Sequence, residues 1–443
     1  MGISKWVSVG WASGTIGSSI MLGAMSLLVL FYLTEYLGIA PAIAGFLIFL
    51  SRIWDLCACL LIGQWSDRTE SRWGRRVPYL LLGAPIAGLS YILLFHVPVG
   101  LSGLGLNTYV LIALLLFATG YTLFVVPYLT IPAEITEVPE QRTLMMSYRV
   151  AFMTIASLIV AGLGPLLIDF FGGGRSGYAG MGAVHAVFIT TSMSLCAIVV
   201  ARTPITTRST PIRGGFIGQL KIALKNKPFK IFIATKFCQL MSTATVGVSL
   251  LYLARYIIGE GEEFLVRFVL YQTAGTLLSI PLWNWAGKYY GKRLCYMSAG
   301  YFYAIIAFSW IITALGEPTW VTNGRIFLIG IALSGLLVMG FSLLPDTMEY
   351  NTKTSGVSQE GILAAIYSMV EKGTAAFGPL IAGLVLDASG FISSAGSDLP
   401  PVQPNTAIIA ILLLSSVFPA IFNIIGSLLL LRFNIQENAQ SLA

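Results

Sequence analysis

The chain has 443 residues, of which 56% are hydrophobic and only 10% are charged. A soluble globular protein carries about one quarter charged residues, so this composition excludes a water-soluble domain and indicates a polytopic membrane protein. The formal net charge of +7 does not indicate a nucleic-acid partner, because basic residues in a membrane protein mark its cytoplasmic loops.

Apolar stretches long enough to cross a bilayer recur along the whole chain. A spanning helix needs about 20 mainly apolar residues. The first such run begins near residue 11 and is too long for the apolar core of a signal peptide, so it is interpreted as the first span. The twelve predicted spans lie near 11–34, 41–65, 78–98, 105–130, 143–170, 182–201, 229–257, 264–285, 293–315, 324–345, 359–386 and 405–432.

A polar stretch at residues 202–228 divides these runs into two sets of six. It carries six basic residues and no acidic residue. The sequence therefore predicts an all-α polytopic membrane protein with twelve transmembrane helices in two six-helix halves. The predicted domains are an N-terminal bundle at 1–201, a cytoplasmic linker at 202–228 and a C-terminal bundle at 229–443. Paired halves of this kind are typical of transporters.

The distribution of lysine and arginine predicts the orientation in the membrane. The loops after the second, sixth and eighth predicted spans are rich in basic residues, and the loops on the opposite side are poor in them. We therefore expect both termini in the cytoplasm, and a bacterial inner membrane as the location. The basic residues after the second and eighth spans are Arg68, Arg72, Arg75, Arg76, Lys288, Lys292 and Arg293.

Two of these basic loops are similar to each other. The segment GQWSDRTESRWGRR follows the second span, and AGKYYGKR follows the eighth. We expect these turns to hold an inner gate closed, with Asp67, Arg68, Arg72 and Arg75 as gating residues. The alternative is a solvated loop that only sets topology. Acids near the ends of other helices are the expected partners of the basic side chains, namely Glu134, Glu137, Asp346 and Glu349.

One carboxylate lies deep inside the second predicted span. Asp55 precedes the end of the apolar run by about ten residues, or about 15 Å of helix, which places it near the middle of the bilayer. Charges at that depth are costly and are usually functional or paired. Two interpretations stay open: a cation-binding or proton-binding site formed by Asp55 and Arg52, and a structural ion pair between the same two residues.

Three basic residues also lie within predicted spans. Lys372 falls near the middle of the eleventh span, where it could face Asp55 across the two halves, bind solute or form a structural ion pair. Arg149 in the fifth span could donate two hydrogen bonds to a solute, or its side chain could extend to the membrane surface. For Lys236 in the seventh span, extension to the surface is favoured.

Predicted spans that contain polar residues also carry aromatic side chains that could stack on a sugar ring. The candidates are Tyr121, Tyr128 and Trp54. The five cysteines and two histidines form no metal-binding or catalytic spacing. We therefore expect neither an enzyme nor a cofactor. No metal site is predicted with confidence, and Asp55 would bind the metal only if sodium is the coupling ion.

Three segments together resemble one known family. They are RIWDLCACLLIGQWSDRTESRWGRRVPYLLLGAP, PYLTIPAEITEVPEQRTLMMSYR and LPDTMEYNTKTSGVSQEGILAAIYSMVEKGTAAFGP. They resemble the glycoside–pentoside–hexuronide:cation symporters, the melibiose permease-like branch of the major facilitator superfamily. The resemblance covers nearly the whole chain and implies a twelve-helix fold with alternating access. It implies that Asp55 belongs to the cation site, Arg149 to the sugar site and Lys372 to the junction of both.

The chain departs from this family where the sodium-coupled sugar transporters carry further acids. The second acid of the cation site is replaced by Cys59, the acid of the first helix falls near Ser19, and that of the fourth falls near Val125. Ser19 is thus the candidate solute-binding residue on the first helix. A hard cation prefers oxygen ligands, so these losses favour a proton over sodium.

The expected function is symport of a sugar, glycoside or hexuronide, coupled to H+ or Na+, by a monomer in the lipid bilayer. The expected partners are a small solute and the coupling cation, with no nucleic acid. The missing acids leave an excess of positive charge, which keeps an anionic or amphiphilic solute, such as a sulfonated sugar or a lysolipid, open as an alternative. An uncoupled uniporter or exporter also stays open.

Overall fold

The computed structural model describes residues 4–136, 139–203, 227–313, 317–355, 360–394 and 401–433. Within these ranges the regular structure is helical throughout, with no strand. The all-α prediction is therefore confirmed. Helix is the expected solution for a chain this apolar, because each backbone group inside a bilayer must find its hydrogen-bond partner within the protein.

The first six helices end with the sixth predicted span. They are α1 Lys5–Leu27, α2 Pro41–Arg68, α3 Val77–Phe95, α4 Gly103–Ile135, α5 Pro139–Leu158 and α6 Gly174–Ala201. Two of them continue through a π-helical turn. Tyr32–Tyr36 follows α1 after the short helix Val29–Phe31, and Ile159–Leu163 joins α5 to Gly164–Phe170.

The other six helices follow the predicted linker. They are α7 Lys227–Leu253, α8 Phe264–Tyr290, α9 Lys292–Phe308, α10 Thr319–Ser355, α11 Glu360–Ala388 and α12 Asn405–Leu412. A π-helical turn, Leu413–Val417, connects α12 to Phe418–Leu429.

Eleven helical stretches in the described ranges are long and apolar enough to cross a membrane. A bent pair, Lys5–Leu27 and Val29–Tyr36, makes a twelfth span when it is counted as one, with a bend of 50° between its parts. The bend lies at the break between Leu27 and Val29, one short helix before the π-helical turn. The predicted number of spans agrees with this count, and the protein is an integral membrane protein.

The helices form two compact units. The N-terminal unit comprises Met1–Pro211 with Ile392–Pro401, and the C-terminal unit comprises Ile212–Phe391 with Val402–Ala443. The division falls inside the predicted linker, most of which lies outside the described residues. The predicted boundaries at 201 and 229 stay a prediction, and the inclusion of 392–401 in the first unit was not anticipated.

Small residues set the helix spacing within each unit. A Cβ added to Gly14 of α1 would lie 2.7 Å from the ring of Phe124 on α4. A Cβ added to Gly330 of α10 would lie 2.2 Å from the carbonyl oxygen of Gln272 on α8. Helices in membranes approach closely where a residue has no side chain. The close approach increases van der Waals contact, which drives helix association in a bilayer because the hydrophobic effect does not act between helices there.

The segment that follows α11 is tied to the end of the first span. Ser394 donates a hydrogen bond of 2.7 Å to the carboxylate of Glu35, and Ser393 donates to the carbonyl oxygen of Thr34. Glu35 is fully buried. A buried carboxylate needs donors, so this contact accounts for the grouping of the segment with the N-terminal unit.

Candidate functional site

Asp55 is buried near the middle of the 26-residue span Pro41–Ser66 and is 2% exposed. The hydroxyl of Thr122 on α4 donates a hydrogen bond to its Oδ1 atom. The Sγ atom of Cys59, one turn further along α2, lies 4.0 Å from the same oxygen. The carboxylate therefore lies between α2 and α4, where it contacts the hydroxyl of Thr122 and the sulfur of Cys59.

Two arginines lie in the same unit with buried guanidinium nitrogens. The Nε atoms of Arg52 on α2 and Arg149 on α5 are both buried, and neither has a hydrogen-bond partner among the described residues. The structure shows no ion pair between Arg52 and Asp55 within these described side chains. A buried donor without a partner costs free energy of about 1–3 kcal/mol, so both groups are ready to bind an acceptor.

Tyr121 connects these groups electrostatically. It is 9% exposed, and Asp55, Arg52 and Arg149 all lie close enough to act on its hydroxyl. We call Arg52, Asp55, Tyr121, Thr122 and Arg149 the N-terminal polar cluster. It combines a group that can bind a proton or cation with hydrogen-bond donors suited to hydroxyl or anionic oxygens.

Tyr128 does not extend this cluster as expected. Its ring stacks on Trp11 at 4.7 Å and on Phe124 at 5.4 Å, and its hydroxyl lies 2.6 Å from that of Thr15. It is 1% exposed, so no face is open to a sugar ring. The residue packs α1 against α4, and its predicted contact with solute stays a prediction.

The other candidate solute-binding residues are half-buried or exposed. Ser19 is half-buried on α1. Trp54 is 42% exposed on α2, and its Nε1 atom donates to the hydroxyl of Thr119. Lys372 is half-buried on α11 in the C-terminal unit. Its predicted pairing with Asp55 stays a prediction.

Lys236 contradicts the expectation that its side chain extends to the membrane surface. The side chain is 1% exposed, and its Nζ atom donates to Oε1 of Gln239. The physical reason is that α7 is an interior helix. In the most apolar window of its span 67% of the residues are buried, more than in any other span of the described chain.

The basic loop after α2 is paired with the end of α4. Arg75 lies 2.7 Å and Arg76 lies 3.0 Å from one carboxylate oxygen of Glu134, which is 2% exposed. Arg76 also donates to the hydroxyl of Ser66. Glu134 is thus the partner of this loop, as expected. The pairing of Arg76 with Glu134 was not predicted, because nothing in the sequence distinguishes Arg76 from the other arginines of the loop.

The remaining candidate gating residues and their expected partners are exposed or lie outside the described residues. Arg68 is exposed, and Arg72 is exposed with its guanidinium 4.7 Å from the ring of Trp73. The side chains of Asp67 and Glu349, and the whole of Glu137, lie outside the described residues.

The C-terminal unit repeats the pairing seen after α2. Lys292, the first residue of α9, lies 2.7 Å from Oδ2 of Asp346 on α10. In each unit a base next to the third helix pairs with an acid near the end of the fourth. The sequence echo between the two basic loops therefore has a structural counterpart, although Lys292 and Asp346 are much more exposed than Arg76 and Glu134.

Comparison with known proteins identifies the family. A model of the family described as MFS/sugar transport protein matches residues 10–437. The chain belongs to this family. It is a membrane transporter rather than an enzyme.

The curated relatives are similar over most of their length. A glycoside/cation symporter of Escherichia coli (strain K12), YagG, which is described as putative, is 26% identical over 90% of this chain and 86% of that protein. An isoprimeverose transporter of Lactiplantibacillus pentosus is 27% identical over 84% of this chain and 77% of its own.

A solved structure of a bacterial homologue of the human drug peptide transporters PepT1 and PepT2 superposes with a TM-score of 0.69. It covers 100% of both chains at 14% identity. This likeness confirms the major facilitator fold.

Proposed function

We propose that this protein is a secondary active transporter that carries a sugar, glycoside or hexuronide together with a cation by alternating access. It works as a monomer in the bilayer of a bacterial inner membrane, with both termini in the cytoplasm. The N-terminal polar cluster carries this proposal, since a buried carboxylate lies in one unit with two arginines whose buried Nε atoms have no hydrogen-bond partner among the described residues. The names of the relatives support the class of solute and the coupling to a cation.

The proposed coupling ion is a proton bound at Asp55. A proton needs a single basic oxygen, whereas a metal cation in a protein site needs several oxygen ligands. Cys59 places a sulfur atom beside Asp55, where the sodium-coupled sugar transporters that this chain resembles carry a second acid. The loss of that oxygen ligand supports proton coupling better than sodium coupling.

Arg149 and Arg52 are the proposed solute-binding donors. An arginine presents two parallel N–H groups to a pair of oxygens, as offered by neighbouring sugar hydroxyls or by a carboxylate. When Asp55 binds a proton, the electrostatic attraction between its carboxylate and these guanidinium groups disappears. The arginines then bind solute more tightly, so ion and solute favour each other, which is the requirement for coupled transport.

A second class of solute is favoured by the charge of the cluster. Two guanidinium groups and one carboxylate leave one net positive charge in the described cluster, and protonation of Asp55 leaves two. An anionic solute, such as a hexuronate, a sulfonated sugar or a lysolipid head group, would neutralise this excess.

A thermal-stability screen tests the proposal first. Purified protein in liposomes is heated with a neutral glycoside, glucuronate, a sulfonated sugar or a lysolipid, each with and without sodium and at two pH values. A bound solute adds stability that rises with its concentration over Kd, so we expect one class to raise Tm by several degrees in a pH-dependent way. Asp55→Asn should remove the pH dependence of the solute-induced rise in Tm. Arg149→Lys should raise the Kd of the solute about 10-fold or more.

Matched controls separate these effects from general damage. Asp169→Asn removes an exposed acid of the same unit, and Arg202→Lys changes an exposed arginine, so both should behave like the wild type. Stabilisation that ignores both ions and persists in Asp55→Asn would contradict the proposed coupling and indicate a uniporter or an exporter.

A further inference from the structure

Lys236 is surrounded by aromatic rings inside the C-terminal unit. Its ammonium nitrogen lies 6.0 Å from the ring centre of Tyr296, 5.9 Å from that of Phe341 and 5.9 Å from that of Tyr367. These residues belong to α9, α10 and α11, while the lysine belongs to α7. Four helices therefore combine to enclose one amine, and we call this arrangement the Lys236 cage.

The backbone of α10 leaves space for this amine. A Cβ added to Gly340 would lie 2.9 Å from Nζ of Lys236. Any other residue at position 340 would therefore press on the ammonium group. The glycine allows the amine to reach the centre of the cage, between the rings.

The hydrogen bonding of the cage is compatible with two protonation states. Oε1 of Gln239 accepts from Nζ of Lys236 and also from the hydroxyl of Tyr296, at 3.2 Å. No carboxylate of the described residues lies within ion-pair distance of Nζ. A neutral amine can donate to the same amide oxygen as an ammonium group, so loss of a proton does not break this hydrogen bond.

Opposing forces act on the charge of this amine. Removal from water favours the neutral form, whereas the faces of three rings and an amide oxygen favour the ammonium form. The titratable groups around Nζ are Tyr296 from α9 and Tyr367 and Glu371 from α11. From α10 the cage receives only Phe341 and Gly340, which do not titrate.

Glu371 is an acid that acts on the charge of the Lys236 cage. It lies one turn after Tyr367 on α11 and acts electrostatically on both Tyr367 and Lys236. Glu371 is exposed, and so is Phe341, at 58%. One exposed carboxylate therefore affects the charge of the buried amine.

We infer that Lys236 is a second proton-binding site of this transporter, separate from Asp55, whose occupancy changes within the working pH range. Release breaks one N–H bond, leaves the electron pair on Nζ and transfers the proton to water. The cage is built from four helices, so its ring contacts change when these helices move and the proton affinity changes with them. The part of Lys236 in coupling rests on the proposed function, whereas its proton binding does not.

The direct test measures Tm of the full-length protein in liposomes against pH, without solute. A group that binds its proton less tightly in the folded state than in the unfolded state makes stability rise with pH between the two proton affinities. We expect the difference in Tm between the wild type and Lys236→Met to change by about 2 °C per pH unit somewhere between about pH 6 and about pH 9. Lys230→Met removes an exposed lysine of the same helix and should follow the wild type throughout.

A second variant keeps the test decisive if Lys236→Met does not fold. Phe341→Leu removes one aromatic ring of the cage at an exposed position. Because this ring stabilises only the ammonium form, the pH-dependent change in Tm should occur at lower pH in the variant than in the wild type. The inference is overturned if Tm of the wild type and Lys236→Met differ by a constant amount over this range. It is also overturned if Phe341→Leu leaves the pH dependence of the wild type unchanged.

This result is independent of the solute screen. A pH-dependent difference at Lys236, together with solute uptake that no ion gradient drives, would support the proton site and contradict the proposed symport. A constant difference, together with proton-driven uptake that depends on Asp55, would remove the Lys236 site and leave the symport unaffected.

Discussion

At the scale of single residues, the contact between Thr122 and Asp55 matters differently for a proton and for a sodium ion. The hydroxyl of Thr122 donates to the carboxylate. A proton needs only a carboxylate oxygen, whereas for sodium the hydroxyl oxygen would be one of several ligands. One substitution at position 122 therefore distinguishes the two coupling ions.

Thr122→Val is expected to keep proton-driven uptake, because a proton does not need the hydroxyl oxygen as a ligand. Thr122→Ser keeps the hydroxyl and should match the wild type. Uptake in liposomes against external pH and sodium is the measurement. A loss of apparent sodium affinity with an unchanged pH profile would identify sodium as the coupling ion.

At the scale of elements, the paired ends of α4 and α10 have similar chemistry and different burial. The side chains of Arg76 and Glu134 are 5% and 3% exposed, and those of Lys292 and Asp346 are 41% and 35% exposed. Removal of one partner from a buried ion pair leaves an uncompensated charge. In an exposed ion pair, water replaces the partner that is removed. The two loops should therefore differ in how strongly they stabilise their units.

Glu134→Gln is expected to lower the free energy of unfolding by about 3–5 kcal/mol, because two arginines lose their carboxylate. Asp346→Asn should cost about 1 kcal/mol or less. Thermal unfolding of both variants in the same liposomes gives the comparison. Equal losses for the two variants would contradict the difference in burial as the cause.

At the scale of the whole molecule, the sequence predicts the fold better than it predicts the site. The spans follow from apolar runs, because the bilayer leaves helices as the only local solution for them. Asp55 is recognisable since a lone carboxylate in such a run is costly. Thr122 is not recognisable, because hydroxyls are common in spanning helices and only packing of α4 on α2 brings this one to Asp55.

Side-chain direction is the part that the sequence does not specify. The expected extension of Lys236 to the membrane surface was wrong, because the residue lies on a helix face that packs inward. The docking of 392–394 on Thr34 and Glu35 joins positions more than 350 residues apart, and no local pattern indicates it. Contacts of this kind depend on the assembled helices.

Uphill uptake is the measurement that tests the central claim most directly. Proteoliposomes are loaded at neutral pH and placed in acidic buffer with the radiolabelled solute identified by the thermal screen, without sodium. Cation-coupled symport through Asp55 predicts accumulation above the external concentration in the wild type and in Asp169→Asn, and only equilibration in Asp55→Asn. Equilibration without accumulation in the wild type, under both a proton and a sodium gradient, would contradict coupled transport.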